Sequence, residues 1–331
     1  MKKSLILGLS IAIGISLSSC SSTKNVENKT DFPVIPGMGN GTSMKEAKIY
    51  TTNAKTVFEN VSYSSVSKSN VCDIYIPEGN GKFSVIMLVH GGGFAFQTQR
   101  MELMESVAKK AIEKGYAVVA VDYRKSSEAQ FPGSLGDVKA AVKFVKANAE
   151  KYSLDSEKIV IWGESAGAYL SAMTALTPDI EILNGDVKDN KEYSSSVNAF
   201  VDFYGPIEFY TMDSEYESLG RSGTNYSTDK SFESRYLGQA IGKDKETTYI
   251  TYWETYKDKL PKNIKAWIQA GTGDQNVPYT QSKNFAERLS LIIGSENVKF
   301  SLIDGAAHMD EKFYTDENLN LIFDFIGTIL K

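Results

Sequence analysis

Histidine and cysteine are nearly missing from this chain of 331 residues, which holds two of each. Two cysteines, Cys20 and Cys72, cannot build a disulfide framework. Two histidines, His90 and His308, leave any proton-relay chemistry only those imidazoles to work with. The formal net charge is -5, so no excess of basic residues is present to hold nucleic acid or an anionic lipid surface. The apolar run at residues 5–17 is too short for a permanent membrane-spanning helix. No internal repeat and no low-complexity block interrupts the chain. What remains is an ordinary globular balance, 42% apolar and 23% charged. The length suits one large α/β domain better than two independent ones.

The N-terminus reads as an export signal. Lys2 and Lys3 precede the apolar run, and Leu17-Ser18-Ser19-Cys20 resembles a lipobox, in which cleavage falls before a cysteine that is then acylated. Residues 1–19 are the expected signal peptide. Acylated Cys20 would carry more than one chain, enough for stable anchoring. Residues 20–45, rich in Ser, Asn, Lys and Gly, form the expected tether between membrane and domain. Ser21 and Ser22 follow the cysteine with no aspartate, which resembles an outer-membrane sorting signal. The expected location is the cell envelope, at the outer membrane or cell surface. Cys72 is then left as a buried structural thiol without a partner.

From residue 46 onward, strand and helix patterns alternate. Residues 71–76 alternate as a half-buried strand does, while residues 84–89 and 117–121 are continuous apolar runs expected of strands covered on both faces. A helix is predicted over 103–114, ended by Gly115. Another runs through Leu135, Val138, Val142, Val145 and Ala149, which share one helical stripe. Further strands are predicted at 159–162, 197–203, 264–270 and 298–303, and further helices at 166–176 and 318–330. This order implies an α/β fold with a mostly parallel sheet between two helical layers. Residues 206–261 break the rhythm. They are polar and dense in tyrosine, and too long for a structureless loop, so short helices covering one face are expected there.

One pentapeptide carries chemistry. Gly163-Glu164-Ser165-Ala166-Gly167 matches the G-x-S-x-G nucleophile elbow, between a predicted strand and a predicted helix. Side chains in place of the glycines would crowd a serine on so sharp a turn. His90-Gly91-Gly92-Gly93-Phe94 follows an earlier strand and matches an HGGG-type oxyanion loop. The N–H groups of Gly92, Gly93 and Ala166 are the expected oxyanion donors. Where this elbow occurs, the order along the chain is serine, acid, histidine. Only His308 lies downstream of Ser165. Asp274, directly after a strand, is the candidate acid and Asp202 its competitor; Asp304 and Asp310 read as solvated loop residues, and His90 as structural.

These features together carry a resemblance. The histidine–glycine loop, Asp122-Tyr123-Arg124, the elbow, and Gly271-Thr272-Gly273-Asp274-Gln275-Asn276-Val277-Pro278 with a late His308 are similar to bacterial carboxylesterases. The related groups are the hormone-sensitive-lipase-like esterases and the feruloyl and acetyl-xylan esterases, and the similarity runs from about Cys72 to the C-terminus. It implies the α/β-hydrolase fold and a serine esterase for short acyl groups that uses no cofactor and no metal. Its substrate would be a small-molecule or saccharide ester. Asp122 and Arg124 are expected to pair and hold loops together. Ala168 stands where a third glycine is common, and Lys125-Ser126-Ser127 replaces the Ala-Pro-Glu of the lipase-like branch, which tilts the reading toward carbohydrate esterases. Competing readings are an amidase, formamidase or peptidase, and a non-catalytic surface lipoprotein on the same fold. The tyrosines at 206–261 either form a sugar-stacking platform or simply pack the cover, and Phe94 and Phe96 either line an acyl pocket or belong to the core.

Overall fold

A computed structural model describes residues 47–221 and 225–330. The leader, Cys20 and the tether lie outside the described residues. Eight strands form one sheet in the order β1-β2-β4-β3-β5-β6-β7-β8. The strands are β1 (Thr56–Ser62), β2 (Val71–Ile76), β3 (Phe83–Val89), β4 (Ala117–Val121), β5 (Leu154–Glu164), β6 (Ala199–Phe203), β7 (Lys265–Gly271) and β8 (Val298–Ile303). From β4 to β8 the neighbours run parallel; β1 and β2 join antiparallel at one edge. The main helices are α1 (Glu105–Glu113), α2 (Gly133–Ala147), α3 (Ala166–Leu176), α7 (Tyr279–Ile293) and α8 (Asp316–Ile329). Between β6 and β7 lie three short ones, α4 (Met212–Ser218), α5 (Phe232–Leu237) and α6 (Lys245–Tyr249).

The continuous apolar runs have a simple cause. Successive strand residues point to opposite faces, and both faces are covered. On β5, Ile159 and Ile161 join one core with Val138 of α2, Leu170 of α3 and Phe285 of α7. Val160 and Trp162 point the other way, into a second core with Val107 of α1 and Phe323 of α8. Each such apolar side chain contributes about 1.5–3 kcal/mol on burial. This is the α/β-hydrolase architecture, and parallel strands bring their C-terminal ends, with the loops that follow them, to one edge of the sheet.

Two local expectations fail. Strand β2 is not half-buried: Cys72 through Ile76 are all buried. Asp73, the residue read as solvent-facing, is instead enclosed and paired with Arg100 Nε at 2.6 Å. The second failure is the Asp122–Arg124 pair. Arg124 turns toward α2, where its guanidinium takes both oxygens of Asp137 and also reaches Asp186. Asp122 faces His90 and Lys125. Residues this close along the chain were free to turn to different partners, and a bidentate guanidinium–carboxylate fit in a buried site outweighs proximity in sequence. Cys72 is free and buried, its thiol pushed up by that burial.

Candidate active site

Strand β5 delivers Ser165 at the elbow between it and α3. Ser165 has φ 50° and ψ −124°, a backbone conformation that costs energy in any residue with a side chain. The flanking glycines make the turn possible. A Cβ on Gly163 would sit 2.1 Å from the carbonyl oxygen of Gly167, and one on Gly167 would sit 2.1 Å from that of Val89. The turn is pinned by the Ser165 N–H, which donates to Phe203 O at 2.8 Å.

Asp274 and His308 arrive from the loops after β7 and β8. The N–H groups of Asn276 and Val277 donate to Asp274 Oδ1 at 2.8 and 2.9 Å. That fixes the carboxylate and leaves Oδ2 to meet His308 Nδ1 at 2.7 Å. The other imidazole nitrogen, Nε2, lies 3.0 Å from Ser165 Oγ. The side chains of His308 and Asp274 are 4% and 1% exposed, so the hydrogen bond between them is shielded from bulk solvent. The Gly273 N–H holds Ala306 O at 2.9 Å, which ties the acid loop to the histidine loop. Ser165, 143 positions before His308, and Asp274, 34 before it, thus join the histidine in one hydrogen-bonded chain from hydroxyl to carboxylate. Such a chain can deprotonate the serine as it attacks and keep the imidazole in the required tautomer.

Asp202 stays apart from this chain. It is fully buried beside the elbow, accepts the Gly205 N–H at 2.9 Å, and burial pushes its carboxyl up to about 7. Asp304 binds Thr272 Oγ1 at 3.0 Å. Asp310 does more than face solvent: it accepts the N–H groups of Ala307 and Lys312 and so braces the loop that carries His308.

The loop after β3 lies alongside. Gly92 has φ +99°, and a Cβ there would meet Phe96 O at 2.6 Å. Among the described residues, none accepts a hydrogen bond from the N–H of Gly92, Gly93 or Ala166. His90 is enclosed, stacked on Tyr123 at 4.3 Å, with its ring nitrogens on Gly91 O and Asp122. Burial, and then the nearby Lys125, lower its pKa. Among the described residues, no group of three His, Cys, Asp or Glu side chains is placed to hold a metal ion.

The BD-FAE family model matches residues 72–289, more than half of the chain and including both the glycine loop and the elbow. The chain belongs to the BD-FAE family. Among curated proteins, this BD-FAE member is 31% identical over 238 residues to the probable carboxylic ester hydrolase LipM of Mycobacterium tuberculosis, covering 69% of this chain and 51% of that one. The chain spans about half the length of the first curated relatives it matches. Among solved structures, a truncated carbohydrate esterase from gut microbiota superposes with a TM-score of 0.74 at 24% identity, over 86% of this chain and 99% of that one. A bifunctional GH43-CE protein of Bacteroides eggerthii gives 0.74 at 26% identity, over 83% of this chain and 35% of its own.

Within this BD-FAE site, one group escaped the sequence reading although it stands inside the motif. Glu164 is buried, and its carboxyl is raised by that burial. The hydroxyls of Tyr204 and Tyr314 both donate to Oε2, and the Gly91 N–H approaches Oε1 at 3.4 Å. Glu164 therefore links the elbow to the glycine loop, while the Tyr204 ring packs edge-on against His308. Arg221 also went unread: it donates to the carbonyls of Asp274 and Thr272 and clasps the acid loop from outside. The aromatic residues of 206–261 mostly serve as packing. Tyr216, Tyr226, Tyr236, Tyr252 and Trp253 are buried, whereas Tyr210 is half exposed. Phe94 belongs to the core, stacked on Tyr236 at 4.0 Å, and is not a pocket wall.

Proposed function

We propose that the protein is a serine carboxylesterase that removes short acyl groups from saccharide esters through an acyl-enzyme. The observation that carries this reading is the continuous hydrogen-bonded chain Ser165–His308–Asp274. Ser165 Oγ attacks the ester carbonyl while His308 Nε2 takes its proton. The charge that develops on the carbonyl oxygen is met by the N–H groups of Gly92, Gly93 and Ala166. Collapse breaks the bond to the alcohol, which leaves with the proton from His308, and the acyl group stays on Ser165. Water then repeats the sequence: it attacks the acyl carbon, His308 accepts its proton and returns it to Ser165, and the free acid departs. Asp274 holds the imidazole in place and balances its charge throughout.

The saccharide part of this reading is supported by the departures from the lipase-like branch and by the structural likeness to carbohydrate esterases. The helices over 206–261 are short and polar, unlike the long amphipathic cover of an interfacial lipase. Export and lipid anchoring at Cys20 complete the reading and would place the substrate outside the cytoplasm; they rest on Lys2, Lys3, the apolar run and the lipobox-like cysteine. The test is Ser165→Ala. It should reduce aryl acetate hydrolysis to background with an unchanged circular dichroism spectrum, and retention of most activity would overturn the assignment.

A further inference from the structure

The loop that carries Asp274 is held from two sides. Its N–H groups turn inward: those of Asn276 and Val277 donate to Asp274 Oδ1 at 2.8 and 2.9 Å, and that of Gly273 donates to Ala306 O. Its carbonyls turn outward, to the cover over 206–261. The Tyr216 hydroxyl donates to Gln275 O at 3.2 Å, with Gln275 Oε1 a more distant acceptor at 3.4 Å. The Tyr226 hydroxyl donates to Asn276 O, and Arg221 takes the carbonyls of Asp274 and Thr272.

These contacts share peptide groups. Gln275 O and the Asn276 N–H are the two ends of one peptide, and Asn276 O and the Val277 N–H are the two ends of the next. A trans peptide is planar, with its C=O and N–H pointing in opposite directions, so a partner that fixes one end aims the other. Both peptides that hold the catalytic carboxylate are therefore gripped from behind by a tyrosine hydroxyl. A donor on the carbonyl also polarises the peptide and strengthens the hydrogen bond made by its N–H. The two tyrosines are themselves fixed. Their rings are buried and pack edge-on at 6.0 Å. Tyr216 lies on α4, which Glu215 ties to α7 by accepting the Thr280 hydroxyl at 2.6 Å and the Asn284 amide at 3.2 Å. The Tyr226 N–H donates at 2.6 Å to Asp213, also on α4.

We infer that Tyr216 and Tyr226 are positioning residues for the catalytic acid: through these two peptides they aim the N–H groups at Asp274 Oδ1 and so keep Oδ2 on His308. This rests on the proposed esterase reading and deepens it, because the cover then completes the catalytic machinery as well as enclosing it. A phenylalanine at either position would fill the same space, so the hydroxyl alone carries the effect. The hydrogen bond from His308 to Asp274 gains its value as the imidazolium forms, when Ser165 attacks. An interaction that strengthens only then acts on kcat and leaves ground-state binding alone.

The test is a double-mutant cycle on 4-nitrophenyl acetate hydrolysis. Tyr216→Phe and Tyr226→Phe should each lower kcat about three- to tenfold, and the two together about tenfold or more, with KM within about twofold of wild type. On an Asp274→Ala background, whose residual activity comes from the oxyanion donors and binding, the same two changes should leave kcat within about twofold. Asp274→Asn serves the same end should the alanine variant not fold, and circular dichroism checks every variant. A kcat unmoved in the double tyrosine variant overturns the inference. A KM that rises while kcat holds overturns it in favour of direct substrate contact. An equal loss with and without Asp274 overturns it as well, because the hydroxyls would then act by another route. Wild type inactive on aryl and saccharide acetates alike overturns the esterase reading itself, and this inference with it.

Discussion

Replacing Asp274 by asparagine exposes how much of the proposed chemistry depends on one proton. The carboxylate accepts at both oxygens: Oδ1 from two backbone N–H groups, Oδ2 from His308 Nδ1. An asparagine can satisfy the two N–H groups only by placing its carbonyl oxygen there. Its NH2 group then faces Nδ1 and demands an acceptor, so the imidazole proton moves to Nε2. In that tautomer Nε2 can no longer take the proton of Ser165 Oγ. The flipped asparagine is no better, because its NH2 group would meet two N–H donors and lose both hydrogen bonds. We expect a fall in kcat of about 10⁴-fold, equal to about 5 kcal/mol of transition-state stabilisation. The assay is initial-rate hydrolysis of 4-nitrophenyl acetate at pH 7–8, with thermal melts to show that the side-chain change leaves the fold intact. A loss below about tenfold in a folded variant would refute the role given to Asp274, and a larger loss in Asp202→Asn than in Asp274→Asn would transfer that role to Asp202.

Three further outcomes are expected. Catalytic efficiency on aryl esters should peak between acetyl and butyryl and fall steeply by octanoyl, measured across a chain-length series; best activity on octanoyl or longer esters would replace the carbohydrate-esterase reading with a lipase-like one. Asp202 titrates near 7 in the folded protein, above its ordinary value of 3.8. Between those two pH values the folded state binds more protons than the unfolded state, so this group's contribution to stability declines as pH rises through the window. Asp202→Asn should therefore gain in melting temperature relative to wild type between pH 5 and pH 8, and a difference that stays flat or narrows would contradict the burial argument. Finally, a fatty-acid analogue should label the wild-type protein in cells and leave Cys20→Ala unlabelled; unlabelled wild type would remove lipid anchoring from the proposal.

Much of this molecule was legible along the chain because its signals are local. Strands β3, β4 and β5 lie between two helical layers, so their apolar runs are read without knowing what covers them. The elbow and the glycine loop each declared itself as a short motif, although part of the steric demand on their glycines comes from distant segments, as Val89 shows for Gly167. Elsewhere the decision was made by neighbours far away in sequence. Strand β1 went unread because it is an edge strand, mostly exposed, with no apolar alternation to mark it; its pairing with β2 defines it. Helix α7 went unread as well, although its apolar face, with Phe285, Ala286 and Leu289, is buried against the sheet. Asp73 looked solvent-facing until Arg100 enclosed it, and Arg124 preferred Asp137 across a helix to Asp122 two residues away. The choice between Asp274 and Asp202 belongs to the same class. Both follow or end strands, and both are acidic residues at the catalytic edge. Only the parallel order of β6, β7 and β8 places one beside His308 and the other beneath the elbow, because a hydrogen bond of 2.7 Å depends on position in space and leaves no mark in sequence.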